Sequence, residues 1–379
     1  MTRMGLSRRL AIPAIGWALG ACAPQSTGPA VPRPEDAPRR VILIVADGAG
    51  AAQWSLLPVV LGSRTLNAFP VTGLVVPRGT SRRVIDSAAS ATAYAIGMPT
   101  FNGAIGVGPD SAAHETVLEA AAKDGLATGL VTTTSITDAT PASFAAHVPD
   151  RDLHADIARQ IAVSGVDVLL GDGLGYFDGT RRPDSLDLLP DLARRYTIVR
   201  SPAELAAVDA EQTSALLGLF ARSSAPALDP AKPRLARMTE TALAILSRDP
   251  DGFFLLVETE GSDEASHANE PIDQLVAIMA DLDEAIGVAL RFRERHPETL
   301  IVMTGDHETG GAALHITRGA PALGYTTGGH TAAMLPLFAL GPGAGRFAGT
   351  HDGDAIGRLL RSVVLGTAVA DADSAASAR

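Results

Sequence analysis

The segment Val41-Ile42-Leu43-Ile44-Val45-Ala46-Asp47-Gly48 decides the fold class. Its six apolar residues, rich in β-branched side chains, leave no polar face. The run therefore reads as a strand buried on both sides within a parallel sheet. It stops at a carboxylate and a glycine, at the strand end where open α/β sheets bind ligands. Residues 126–131, 253–257 and 300–304 form similar runs; 166–170 is a shorter candidate and 335–340 another. Helical patterns alternate with them over 116–123, 152–163, 234–247, 272–293 and 354–364. This alternation predicts an α/β fold with a mostly parallel central sheet and helices on both faces. Residues 180–230 carry a less regular pattern and are expected to form a surface insertion. No internal repeat is present.

The 379-residue chain is 46% hydrophobic and 19% charged, which excludes a disordered or fibrous protein. With 42 acidic and 31 basic side chains its net charge is −11. That balance argues against binding a phosphate backbone, so no nucleic-acid role is expected. It leaves room for clustered carboxylates that collect hard or borderline cations. The single cysteine, Cys22, excludes an intramolecular disulfide.

Arg3, Arg8 and Arg9 precede a short apolar stretch from Leu10 to Leu19, too short to span a bilayer, and residues 1–21 read as a signal peptide. Leu19-Gly20-Ala21-Cys22 resembles a bacterial lipobox, which would make Cys22 the lipid-bearing first residue of an exported chain. Ser7-Arg8-Arg9 is a less complete match to a twin-arginine signal. The expectation is a periplasmic or cell-surface protein that meets the membrane through a lipid anchor only. A Pro-rich linker over 22–39, one domain over 40–365 and a flexible tail over 366–379 complete the predicted organisation.

Three of the apolar runs end alike, in Asp47, in Glu258 and in Asp306-His307. One such ending is an ordinary solvated loop carboxylate. Three on one sheet edge point to a metal site. Asp263 and His267, four residues apart, share a face if the segment is helical, which suits two ligands on one Zn²⁺. Asp306 and His307 are adjacent and reach one metal only from an irregular loop. His330 lies in Thr326-Thr327-Gly328-Gly329-His330-Thr331, whose glycines suit delivery of a distant ligand. Taken singly, each histidine reads as a surface or packed residue. His147 reads as a hydrogen-bonded structural residue.

In Asp86-Ser87-Ala88-Ala89-Ser90-Ala91-Thr92-Ala93, Asp86 suits an N-cap. Ser87 would then stand at a helix N-terminus, where the dipole favours anions. The small residues that follow let a tetrahedral oxyanion approach the backbone. Tight packing of a small-residue helix on the sheet explains the segment equally well.

Together these segments resemble the alkaline phosphatase family. Asp86 to Ala93 is similar to its nucleophile motif, and the other motifs follow in order across residues 41–342. They are Asp47-Gly48, Asp138-Ala139-Thr140-Pro141 with Ala146 to Arg151, Glu258 through Asp263 and His267, Thr304 to Gly311, and Gly329-His330-Thr331. The resemblance implies hydrolysis of small phosphate monoesters through a phosphoserine on Ser87. It implies a first zinc on Asp263, His267 and His330. A second zinc would sit among Asp47, Asp306, His307 and the Ser87 oxygen. Magnesium would bind Asp47, Thr140 and Glu258, with Asp138 nearby. Arg151, alone a solvated loop charge, becomes the fork for two phosphate oxygens. The chemistry agrees: histidines with carboxylates suit Zn²⁺ and an all-oxygen set suits Mg²⁺. Similar proteins are commonly dimers, so a homodimer is compatible with the resemblance.

Glu264 departs from the family, standing where members often carry Lys, His or Trp. It reverses the charge beside an anion site, which implies readier release of phosphate. Four other readings compete, the plainest being a structural α/β lipoprotein. A phosphodiesterase of the same superfamily shares such a metal core but uses Thr and lacks the magnesium ligands. A sulfatase would need a Cys/Ser-x-Pro-x-Arg pattern, absent around Ser87. A lipid-anchored phosphate-binding protein without turnover would have no need of both Ser87 and a full ligand set.

Overall fold

β1 (Arg40–Ala46) lies between β7 (Phe253–Thr259) and β8 (Thr299–Gly305), parallel to both, in a computed structural model of the chain. The structure describes residues 38–81, 83–224 and 226–367. The expected signal peptide with Cys22, all but the last residues of the expected linker, and nearly all of the expected tail fall outside the described residues. No helix among the described residues is long and apolar enough to cross a membrane.

Among the described residues the central sheet has ten strands in the order β14-β2-β13-β8-β1-β7-β3-β4-β6-β5. The remaining members are β2 (Val71–Val76), β3 (Ala127–Ser135), β4 (Val168–Asp172), β5 (Thr197–Val199), β6 (Leu216–Leu219), β13 (Leu335–Leu340) and β14 (Gly349–Asp352). From β8 to β5 every pairing is parallel, while β13 runs antiparallel to both β8 and β2. Four short strands stand apart: β9 (Glu308–Thr309) pairs with β12 (His330–Thr331), and β10 (Ala313–Thr317) with β11 (Ala320–Gly324).

The continuous apolar run of β1 is divided by the pleat. Val41, Leu43 and Val45 enter one core; Ile42, Ile44 and Ala46 enter the other. The first core is roofed by α2 (Ser87–Ile96), α3 (Val117–Lys123), α4 (Ala139–Ala145), α5 (His154–Val163) and α11 (Gly353–Val364). On the other face lie α1 (Ala51–Val59), α8 (Leu235–Leu246) and α10 (Ile272–Arg295). Two short helices, α6 (Leu189–Leu192) and α7 (Pro202–Ala206), flank β5, and α9 (Gly261–His267) follows β7 directly. The expected mostly parallel, doubly covered sheet is therefore present.

One expectation is corrected. Residues 180–230 are not only a surface insertion, because β5 and β6 extend the central sheet in parallel from β4. Strands of three and four residues set among turns carry too short a pattern to read from sequence. His147 is structural as expected: Nδ1 faces the Gly106 carbonyl at 2.7 Å and Nε2 faces Glu119 Oε1 at 2.9 Å.

The helix that carries Ser87 is held against the end of β8 and against α11. Tyr94 donates its hydroxyl to the Gly305 carbonyl (2.8 Å), and Ser90 donates to the Asp306 carbonyl (2.7 Å). α11 approaches so closely that a Cβ on Gly357 would stand 2.3 Å from the Ala93 carbonyl oxygen. We expect Gly357→Ala to drive the two helices apart at a cost of about 1–3 kcal/mol. Gly287→Ala, in α10, meets only the end of the Arg291 side chain. It should instead stabilise by about 0.5–1 kcal/mol through helix propensity. Denaturant midpoints of the two variants, shifting in opposite directions, check this pair.

Candidate metal centre and active site

The polar residues gather at the carboxyl ends of β1, β7 and β8 because the three strands run parallel and in register. Val45 lies beside Glu258 on one side and Thr304 on the other, so the chain following each strand emerges at the same edge. Asp47 follows β1 and is 1% exposed, yet neither of its carboxylate oxygens has a hydrogen-bond partner. Asp306 Oδ1 accepts from the Gly48 and His307 N–H groups, and Oδ2 is left buried and unbonded. Unpaired buried carboxylate oxygens are costly, and two such residues side by side call for a compensating charge.

The histidines make the same point through their tautomers. His267 Nδ1 lies 2.7 Å from the Gly328 carbonyl, and His330 Nδ1 lies 2.9 Å from that of Ile85. Each Nδ1 is therefore the N–H donor, and in the neutral rings each Nε2 presents a lone pair. Those two lone-pair atoms stand 3.0 Å apart, with Asp263 Oδ2 3.3 Å from His267 Nε2. His307 repeats the arrangement. The Thr309 hydroxyl donates to Asp263 Oδ1 and so accepts from His307 Nδ1, 3.2 Å away. His307 Nε2 is thus directed at Asp306 Oδ2 (3.2 Å), Asp47 Oδ1 (3.4 Å) and Ser87 Oγ (3.1 Å). Acceptors aimed at a common point repel unless a cation occupies it.

Three groups of ligand atoms result, each lying within 4.8 Å of one another: Asp263, His267 and His330; Asp47, Asp306 and His307; and Asp47, Glu258 and Glu260. The first two are the sets expected for zinc. Their donors fit that ion, with carboxylate oxygen and neutral imidazole nitrogen. In the third, Thr140 sits beside Glu258 with its Oγ1 buried and unbonded, as a ligand would be. Glu260 was not anticipated. The signal lay in its spacing, since Glu258 and Glu260 are two residues apart and so share a side of an extended chain. Also unforeseen were Thr132, whose hydroxyl donates to Glu258 Oε2 (2.6 Å), and Thr309, which links Asp263 to His307.

The delivery of His330 differs from the expected flexible glycine approach. β12 pairs with β9, placing His330 opposite Thr309, and the rings of His307 and His330 stack with centroids 3.6 Å apart.

Asp86 caps α2, Oδ1 accepting from the Ala89 N–H and Oδ2 from the Gly103 N–H, each at 2.9 Å. Arg151 donates from Nη2 to Asp138 Oδ1 (2.8 Å), and its Nη1 lies 3.7 Å from Asp86 Oδ2. Burial disfavours the guanidinium, but Asp138 and Asp86 outweigh it and hold the charge firmly. Asp138 is fully engaged: Oδ1 also accepts from the Ala139 N–H, and Oδ2 from the Thr134 hydroxyl. It orients Arg151 rather than offering a free ligand atom. Glu264 is exposed on α9 and lines a cavity of about 230 Å³ with Ala227, Leu228 and Gln274.

A sequence profile described as Alkaline phosphatase matches residues 39–321. The chain belongs to the alkaline phosphatase family. It is 35% identical to alkaline phosphatase 3 of Bacillus subtilis over 74% of this chain and 63% of that protein. To the alkaline phosphatase of Escherichia coli it is 30% identical, over 83% of each. The solved alkaline phosphatase of the Antarctic bacterium TAB5 superposes with a TM-score of 0.79 and 34% identity. That match covers 86% of this chain and 98% of the other. A point variant of the TAB5 enzyme is described with Mg bound in its M3 site. The family is metal-dependent and hydrolyses phosphate monoesters, and this family member supplies three candidate metal sites for that chemistry.

Electrostatics would give bound cations a structural part as well. Burial, with the charge of Asp263 adding to it, pushes Asp306 up to about 6; burial likewise pushes Glu258 up to about 8. Asp47 and Glu260 are raised in the same way, by burial first and then by neighbouring carboxylates. Burial also lowers His307 to about 4, keeping it neutral. A carboxyl raised in the folded state binds protons that the unfolded chain has released. Stability therefore falls as pH climbs from the ordinary carboxylate range to the folded value. Chelator-treated protein should lose several degrees of melting temperature between pH 5 and pH 8. Resupplying zinc and magnesium should abolish that slope, which differential scanning calorimetry at each pH measures.

Proposed function

We propose that the chain hydrolyses small phosphate monoesters by transferring the phosphoryl group to Ser87 and then to water, served by two zinc ions and one magnesium ion. The observation that carries this reading is the convergence of Ser87 Oγ, Asp47 Oδ1 and Asp306 Oδ2 around His307 Nε2, within 3.1–3.4 Å. A serine hydroxyl has no structural need to join a carboxylate–histidine ligand set. Asp263, His267 and His330 would hold one zinc; Asp47, Asp306 and His307 the other; Asp47, Thr140 and Glu258 the magnesium. When bound, these ions supply charge that favours the serine alkoxide and offsets charge on the transferring phosphoryl group.

The chain's own residues do the rest. The Asp86 cap fixes the N-terminus of α2, so the backbone dipole there favours the anionic oxygen of Ser87. Arg151, held by Asp138 and Asp86, presents a planar fork to two unesterified phosphate oxygens. Attack by Ser87 Oγ forms one P–O bond as the ester P–O bond breaks and the alcohol departs. Water then cleaves the phosphoserine and releases inorganic phosphate. Acid quench during turnover should trap phosphate on the peptide spanning residues 82–98. Ser87→Ala should abolish that label with zinc content largely retained; label persisting in the variant would remove Ser87 from this role.

The Arg151 charge, with that of the magnesium site, favours monoesters over diesters, since a monoester carries one more negative charge. We expect Arg151→Ala to cost about 1–3 kcal/mol in kcat/KM for monoesters, the scale of a charged hydrogen-bonding pair. The loss for diesters should be smaller. Parent protein that cleaves diesters faster than monoesters would favour the phosphodiesterase reading instead.

The N-terminal sequence supports export and a lipid tether at Cys22, with the catalytic domain in the periplasm or at the cell surface. A homodimer remains part of the reading through the family resemblance alone. The negative charge of Glu264, next in sequence to Asp263, supports readier release of phosphate.

A further inference from the structure

We propose that Glu260 is a direct ligand at the third cation site, giving that site three carboxylate donors, Asp47, Glu258 and Glu260, where the family resemblance led us to expect two. The inference rests on the metal-dependent reading above and adds a residue that reading does not include.

Three observations carry it. The carboxylates of Asp47, Glu258 and Glu260 bring one oxygen each to within 4.8 Å of one another. Two polar groups of the same pocket are buried and unbonded: both carboxylate oxygens of Asp47 and the hydroxyl of Thr140, each residue 1% exposed. The backbone of Glu260 is anchored between strand and helix, which fixes where its side chain starts. Its N–H donates to Thr133 Oγ1 (2.9 Å) at the end of β3, and its carbonyl accepts from the Asp263 N–H (3.0 Å) at the start of α9.

The other carboxylates nearby are engaged elsewhere. Asp138 has both oxygens occupied by Arg151, Ala139 N–H and Thr134. Asp263 takes the Thr309 hydroxyl and faces His267. Glu260 is the carboxylate positioned to complete an all-oxygen set with the Thr140 hydroxyl. A magnesium ion bound through one or two carboxylates keeps several waters. A third carboxylate displaces one of them and adds a full negative charge, so the ion is held more tightly and with a drier shell.

Two measurements read this without reference to turnover, both on full-length protein with its zinc sites loaded. Calorimetric titration with Mg²⁺ should show binding at least tenfold weaker in Glu260→Ala than in the parent. Glu260→Gln, which keeps the shape and loses the charge, should be weakened as well. With Tb³⁺ as the probe, luminescence lifetimes in H₂O and D₂O count coordinated waters, and Glu260→Ala should gain at least one. Zinc content equal to the parent's certifies that each variant is folded. Parent protein that binds neither Mg²⁺ nor Tb³⁺ would sink the third site itself. A parent that binds both, with affinity and water count unchanged in the two variants, would overturn the role of Glu260 and leave the site standing.

Discussion

Buried carboxylates with nothing to bond to dominate this structure. Asp47 sits at the centre of the sheet edge, almost without solvent contact, and belongs to two different groups of ligands. Such a residue destabilises a fold unless positive charge meets it. The rest of the molecule can be understood as the frame that makes this placement bearable. Backbone N–H groups of Gly48 and His307 neutralise one oxygen of Asp306, threonine hydroxyls steady Glu258 and Asp263, and carbonyls fix the histidine tautomers. What these contacts leave unsatisfied is directed inward, toward cations.

Parallel pairing is what makes the gathering possible. In an antiparallel sheet alternate strands would end at opposite edges; here β1, β7 and β8 finish together and each contributes the residues that follow it. The helices then set the finer geometry. α9 begins one residue after β7 ends, so Glu258 and Asp263 are carried from strand to helix with little slack. α2 arrives from the opposite side, pressed between the sheet and α11 tightly enough to tolerate only glycine at position 357. Catalytic precision in this protein is thus a property of backbone packing as much as of the side chains that do chemistry.

Much of this was legible beforehand, and the reasons are physical. The strand of residues 41–46 is apolar on both faces because both faces are covered, and its terminal carboxylate reports the edge where ligands bind. Spacing of four placed Asp263 and His267 on one side of a helix, which α9 confirms. What stayed hidden depended on tertiary contacts. β5 and β6 are too short to show a period, and nothing local reveals that His330 reaches the site by pairing with Thr309. Glu260 was overlooked because the family pattern drew attention to Glu258 and past its neighbour two positions on. Resemblance locates the residues that a family motif names and is silent about their neighbours.

The two-residue pairing of β9 with β12 has a kinetic consequence. His330 depends on it and on one carbonyl contact, and His330 and His267 side chains remain 18% and 41% exposed. The Asp47, Asp306 and His307 set is enclosed by the sheet and α2, with His307 and Asp306 wholly shielded. Fraying of a minimal ladder requires far less disruption than parting a central sheet from its helices. An ion held by Asp263, His267 and His330 would therefore exchange with solution through local opening, whereas one held by Asp47, Asp306 and His307 would leave only when the domain itself loosens.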